Sequence, residues 1–274
     1  MSRDVLVVIG AGGMGLAIAR RTGPGKTVLL ADNNAVTLDA AAARLTDEGH
    51  DVRAHHVDVT SAASVADLVR EAAAVGDVAQ VAHTAGLSPS QASTAAILAV
   101  DLLGVALVVD GFAPVVATGG AGVVISSMAG HLFPALPADQ QQVLAQTAAA
   151  DLLTLPFLTP EQLSDPGLAY GVAKQANLIR VAAAASSWGQ RGARLNSISP
   201  GIISTPMSQQ ELDSPLGEGM RAMIEASPAG RIGTVDDIAA VAAFLLGPEA
   251  SFISGTDVLV DGGVTAVLTH PNDA

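Results

Sequence analysis

The chain has 274 residues, half of them apolar, a formal net charge of −13 and no cysteine. That length and apolar content fit one large α/β domain with a sizeable core. The acidic balance argues against nucleic acid or an anionic membrane surface as partner, and without cysteine there are neither disulfides nor thiol chemistry.

Val5 to Ile9 is a short continuous apolar run, as expected of a strand buried on both faces of a parallel sheet. It opens directly, without a charged-then-apolar leader, so a cytoplasmic location is the default expectation. The run leads into Gly10-Ala11-Gly12-Gly13-Met14-Gly15 and then a helical pattern from Leu16 to Arg21. Strand, glycine turn and helix in that order form the dinucleotide fingerprint. Gly10, Gly12, Gly13 and Gly15, with Met14 between them, would let a pyrophosphate approach the backbone at a helix N-terminus.

A second strand, Thr27 to Ala31, ends at Asp32, 22 residues after Gly10. A carboxylate there can accept from the adenosine ribose hydroxyls and would repel a 2′-phosphate, which favours NAD over NADP. Asp32 could equally cap the next helix, or do both. Helices are expected over Ala35–Asp47 and Ser61–Ala74, and strands over Val52–Val57 and Val78–Ala82. The alternation implies a doubly wound, Rossmann-type parallel sheet with helices on both faces, in which cofactors lie beyond the carboxyl ends of the strands. Asp32, Asp58 and Gly86 fall there.

Ala92 to Val116 suggests a long helix. The apolar region from Ile97 to Ile125 is broken by Asp101, Asp110, Pro114 and several glycines, and does not read as a membrane span. A fifth strand, Gly122–Ile125, ends at Ser126-Ser127. The segment 131–167 carries five prolines and a helical pattern from Ala138 to Leu153. Leu168 to Trp188 is a long helical run, and it holds the only tyrosine, Tyr170, four residues before Lys174. Four apart on a helix means one face. An ammonium about 4.5 Å from a phenol, at an effective dielectric of about 20, favours the phenolate by about 3–4 kcal/mol. That is about 2–3 pK units and would bring the phenol near working range. A sixth strand (Arg194–Ile198), a helix capped by Thr234 and running from Asp236 to Leu246, and a seventh strand (Val258–Val260) complete one domain over 1–274. No metal-ligand cluster is apparent, and the adjacent His55-His56 pair reads as structural or exposed.

The glycine turn, Asp58-Val59, Ala85-Gly86, Ser126-Ser127, Tyr170-x-x-x-Lys174, Asn196 to Gly201, Thr205 and Asp261-Gly262-Gly263 together resemble the short-chain dehydrogenase/reductase family over nearly the whole chain. The resemblance implies hydride transfer between a nicotinamide cofactor and a secondary alcohol or ketone. Ser127 would bind the substrate oxygen, Tyr170 would be the acid or base, and Lys174 would tune Tyr170 and hold the nicotinamide ribose. Asp58 and Val59 would meet the adenine, and Ala85 and Gly86 the adenosine ribose. Pro200, Gly201, Ile203 and Thr205 would cradle the nicotinamide. A homo-oligomer, dimer or tetramer, is implied as well.

Several departures stand out. The glycine turn is one residue shorter than the family's usual one. His83-Thr84 replaces an asparagine pair before Ala85-Gly86. Asp101 stands where the family has a catalytic asparagine. Ser127 and Tyr170 are 43 residues apart, far more than usual, because of the insertion at 131–167. A similar insertion characterises the hydroxysteroid dehydrogenase/carbonyl reductase members, where it lies at a dimerising helix surface. It is expected to alter the oligomer interface and to border the substrate cleft. The segment 205–228 would be the substrate loop, and its Met207, Leu212, Leu216, Met220 and Met223 suggest a bulky apolar substrate. The alternatives are a non-catalytic dinucleotide-binding sensor on the same fold, or a dehydratase or epimerase using bound NAD.

Overall fold

The computed structural model describes residues 3–270. Its strands are β1 (Asp4–Ile9), β2 (Thr27–Asp32), β3 (Asp51–His56), β4 (Asp77–His83), β5 (Val116–Ile125), β6 (Arg194–Pro200) and β7 (Asp257–Val260). They form one parallel sheet in the order β3-β2-β1-β4-β5-β6-β7. The seven strands and their parallel pairing are those expected from the sequence. Because the chain starts in the middle, winds outward to β3 and returns to β4, the strand order reverses between β1 and β4. Such a switch point opens a crevice beyond the carboxyl ends of the strands.

Connecting the strands are α1 (Gly13–Thr22), α2 (Ala35–Asp47), α3 (Ala62–Val75), α4 (Thr94–Ile97), a π-helical segment (Leu98–Gly104), α5 (Val105–Phe112), α6 (Ala129–Leu132), α7 (Ala138–Gln146), α8 (Pro166–Gly189), α9 (Pro206–Leu212), α10 (Gly217–Ala226), α11 (Val235–Leu246) and α12 (Val264–Thr269). The alternation of β1 shows why two layers form. Leu6 and Val8 join a core under α1 and α11. Val5, Val7 and Ile9 join the opposite core, which also takes in residues of α3 and α5 and Trp188 of α8. Buried Trp188 lies flat on the sheet, its Nε1 donating to Val109 O at 3.1 Å. Only a glycine fits beneath it, since a Cβ at Gly122 would stand 2.6 Å from the indole.

The helix starts follow local chemistry. Ser61 and Thr234 cap α3 and α11 with their side chains. Asn34, not Asp32, caps α2, accepting from Thr37 N at 3.0 Å. Asp165 caps α8, with Pro166 at its first position.

The long helix expected over Ala92–Val116 is shorter, Thr94 to Phe112, with the π segment in its middle. By length and composition it could cross a bilayer, but it is a core helix, more than half buried between the sheet and the insertion. The helix expected over Ala138–Leu153 ends at Gln146 and resumes as a 3₁₀ turn, Ala149–Thr154. The break has a cause: the buried Arg180 guanidinium donates to Leu144 O and Thr147 O, both at 2.9 Å, and so takes up carbonyls at the helix end. The insertion is no loose excursion. Leu144, Leu152, Leu158 and Leu163 are buried against Ile97, Leu102, Val172 and Ala176 of the two neighbouring helices.

Candidate active site

The crevice at the β1/β4 switch point is a cavity of about 460 Å³. Of the residues expected to bind cofactor, Gly10, Gly12, Gly13, Met14, Gly15, Asp32, Asp58, Val59, Ala85, Gly86 and Thr205 all line it. The turn itself is braced from behind. Thr84 Oγ1 donates to Gly10 O at 2.9 Å, and the N–H groups of Thr84 and Ala85 both reach Ile9 O. Gly10 has φ +101°, and a Cβ there would come within 2.6 Å of Thr84 and Ala85. The second residue of the family's asparagine pair is thus replaced by a hydroxyl that locks the turn.

Gly12 differs: a Cβ there would meet nothing within 4 Å, so it faces open space at the start of α1, with no side chain capping the helix. Uncapped N–H groups beside a void suit a phosphate. Asp32 accepts from Ala11 N at 2.7 Å and from Asn34 N at 2.8 Å, so it ties the turn to the end of β2. Among the described residues no lysine or arginine lines the cavity. These features fit a dinucleotide.

Pro200, Gly201 and Ile203 do not line that cavity. Pro200 O accepts from Met128 N at 2.8 Å, and Gly201 N donates to Val260 O at 2.9 Å. Ile203 is buried and bridges to Gly233. Pro200 thus holds the serine turn after β5, Gly201 the last strand, and Ile203 the segment that leads into α11.

The chemical groups meet beside this crevice. Tyr170 and Lys174 share one face of α8, with Lys174 Nζ 5.2 Å from the centre of the Tyr170 ring. Ser127 sits on the turn after β5, where its Oγ accepts from Ala129 N at 3.2 Å. Its neighbour Ser126 donates to Lys174 O at 3.0 Å and so pins the turn to α8. Lys174 is almost wholly buried and pairs with the fully buried Asp101 at 2.9 Å. Burial disfavours the ammonium, but Asp101 and then Tyr170 outweigh it, and the Lys174 pKa rises. The lysine therefore stays charged.

The expected lowering of the Tyr170 pKa does not result. Burial of the phenol raises it first. Lys174 pulls it down, Asp101 pushes it up again, Ser127 lowers it and Glu211 raises it; the net direction is upward. Desolvation, and the carboxylate that neutralises the nearby cation, outweigh that cation's pull on the phenol.

Three further groups escaped sequence reasoning. His83, at the end of β4, is buried with neither ring nitrogen hydrogen-bonded to a side chain or backbone partner of good geometry. Burial, reinforced by Lys174, lowers its pKa to about 4. Glu211 on α9 accepts from the Ser88 hydroxyl in a short bond, and Gln91 donates to Gln210 beside it. The start of the segment 205–228 is thereby fastened to the stretch that follows β4. Finally, His131 Nε2 lies 2.8 Å from Asp257 Oδ2, and Ser197 donates to Asp257 Oδ1 at 2.6 Å. That chain joins α6 to the last two strands. The residue spacing signals none of these, because each partner lies more than a hundred residues away or in another element.

The insertion reaches the site through Phe133, whose ring covers Gly171, the neighbour of Tyr170. Gln175 holds this segment, accepting from Leu136 N at 2.8 Å and donating to Pro134 O at 3.1 Å. Among the described residues no group of three or more His, Cys, Asp or Glu side chains could hold a metal ion.

Known proteins similar to this chain identify its family. A family described as "short chain dehydrogenase" matches residues 4–137, and one described as "Enoyl-(Acyl carrier protein) reductase" matches 138–265. A "Short-chain dehydrogenase/reductase bsc3" of Alternaria brassicicola is 45% identical, covering 98% of both chains. The "3-alpha-hydroxysteroid dehydrogenase/carbonyl reductase" of Comamonas testosteroni is 34% identical over 67% of this chain and 71% of its own. Among solved structures, levodione reductase superposes with a TM-score of 0.76 at 24% identity, covering 96% of this chain and 98% of that one, a likeness of fold. The chain belongs to the short-chain dehydrogenase/reductase family of oxidoreductases.

Proposed function

We propose that the protein interconverts a secondary alcohol and a ketone with NAD(H), using Tyr170 as the proton donor or acceptor. A nicotinamide dinucleotide, when bound, supplies the hydride acceptor or donor. The chain's own groups do the rest. The glycine turn and the start of α1 take the pyrophosphate, and Asp32 takes the adenosine ribose. Ser127 Oγ donates to the substrate oxygen and orients it. Tyr170 gives that oxygen a proton in reduction and removes one in oxidation. Lys174, kept charged by Asp101, holds the nicotinamide ribose.

The observation that carries this reading is the meeting of Ser127, Tyr170 and Lys174 beside the crevice lined by the glycine turn. A sensor has no use for that trio. The preference for NAD rests on Asp32 and on the absence of cationic side chains in the cavity wall. A bulky apolar substrate is favoured by Met207 and Leu216, both exposed in the segment 205–228, and by the hydroxysteroid activity in the name of the Comamonas relative. We further infer a homo-oligomer that does not assemble through the face of α4, α5 and α8 that the insertion covers.

Tyr170→Phe tests the chemistry. Turnover of alcohols and ketones, followed by the cofactor's near-ultraviolet absorbance, should fall by about 10²–10⁴-fold with NAD affinity retained. Unchanged turnover would remove Tyr170 from the mechanism.

A further inference from the structure

Asp101 is fully buried in the π segment between α4 and α5. Single π turns inside α-helices recur at functional sites. Its carboxylate has two neighbours: Lys174 Nζ at 2.9 Å, and the Leu87 N–H, which donates to Oδ1 at 3.3 Å and to Oδ2 at 3.1 Å. Gly86 makes room for it, since a Cβ at that position would lie 2.7 Å from Asp101 Oδ1. The site is built around a charge and not around a neutral amide.

A paired ammonium acts on a nearby phenol differently from a free one. The carboxylate cancels most of its field a few ångströms away, and in a buried site little water remains to do so instead. The other groups facing Tyr170 are the Ser127 hydroxyl from the turn after β5 and the Glu211 carboxylate from α9. His83, which faces Lys174 from the end of β4, is held neutral. Apart from Lys174, then, every charged group acting on the phenol is an anion.

We propose that Asp101, by pairing with Lys174, sets the pH range in which Tyr170 can lose its proton and holds that range more alkaline than an unpaired lysine would. Asp101 is a positioning residue: it works through Lys174 and through space, without touching substrate. Its kinetic consequence, an alkaline limb for alcohol oxidation, rests on Tyr170 being the acid and base. The electrostatic claim does not.

The two can be separated because Tyr170 is the only tyrosine. Its ionisation can be read directly from tyrosinate absorbance, with neither cofactor nor substrate present. Asp101→Asn keeps an acceptor for the Leu87 N–H and removes only the charge. Its tyrosinate midpoint should fall by about one pH unit or more below the wild type. Lys174→Met should move the midpoint the other way, and the double variant should return close to the wild type. Far-ultraviolet circular dichroism marks where alkali unfolds each protein; a wild type still untitrated at a pH where Asp101→Asn is already ionised supports the proposal. An unmoved or raised midpoint in Asp101→Asn overturns it. Should that variant not fold, a double variant that titrates like Lys174→Met overturns it as well. In turnover, the oxidation limb of Asp101→Asn should shift with the spectroscopic midpoint, its best rate staying within about tenfold of the wild type. A spectroscopic shift with no kinetic shift would leave the electrostatic role intact and reject Tyr170 as the base.

Discussion

The glycine-turn half of the molecule, β1 to β4, and the half that carries 131–167 and 205–228 are held together in different ways. In the first, the glycine turn is set mostly by backbone hydrogen bonds between neighbouring strands, with the Thr84 hydroxyl and the Asp32 carboxylate as side-chain braces. Thr84 N and Ala85 N reach Ile9 O, and Gly10 N reaches Ala31 O. In the second, side chains distant in sequence do the joining: Arg180 to the insertion's carbonyls, Gln175 to Phe133 and Pro134, Glu211 to Ser88. A cofactor common to many enzymes can be bound by backbone geometry, whereas a particular substrate needs particular side chains. The two halves should therefore respond separately to mutation.

Stability offers the largest contrast. Leu144 is fully buried between the insertion and the core helices. Leu144→Ala should cost about 2–5 kcal/mol in denaturant unfolding, while the folded fraction keeps wild-type affinity for NAD. An equal loss of cofactor affinity would mean that the halves are not separable.

Acid should strike the seam between them. His83 is held neutral with its pKa lowered to about 4 from an ordinary 6.5. The unfolded chain takes up this proton below about pH 6.5 and the folded chain only near about pH 4, so stability rises with pH across that window and is lost as pH falls through it. The full loss amounts to about 3 kcal/mol. His83→Gln should flatten the acid limb of an unfolding midpoint measured against pH; an unaltered limb would assign acid sensitivity elsewhere.

A smaller effect is expected at the cofactor alone. Asp32→Ser removes the carboxylate at the end of β2, and with it the repulsion of a 2′-phosphate. The ratio of kcat/KM for NAD over NADP should fall about tenfold, with KM for the alcohol unchanged. The smallest belongs to the other half: Glu211→Gln should change the KM for substrate by only a few-fold, because a neutral amide can still accept from Ser88. A larger change in the NAD constant would contradict the division.

How much the sequence disclosed follows the same line. The strands, the glycine turn and the caps of α3 and α11 depend on neighbours within a few residues, and the residue pattern carries that information. Asp32 was ambiguous because cofactor binding and capping ask for the same side chain; the cap fell to Asn34. The early end of α7 was hidden because its cause, Arg180, lies 34 residues beyond Gln146. The direction of the Tyr170 shift was misjudged for a related reason. Spacing reveals that Lys174 is one turn away, but not that Asp101 and burial oppose it. Pairwise rules fail where three buried charges share one space.

Gly171 has a consequence for variation of the enzyme. It lies directly after Tyr170, and the Phe133 ring rests where its side chain would be. Any larger residue at 171 would push the Phe133 ring, and the start of the insertion with it, off α8. One methyl group at this position is enough to unseat the insertion's first residues from the helix that carries Tyr170 and Lys174.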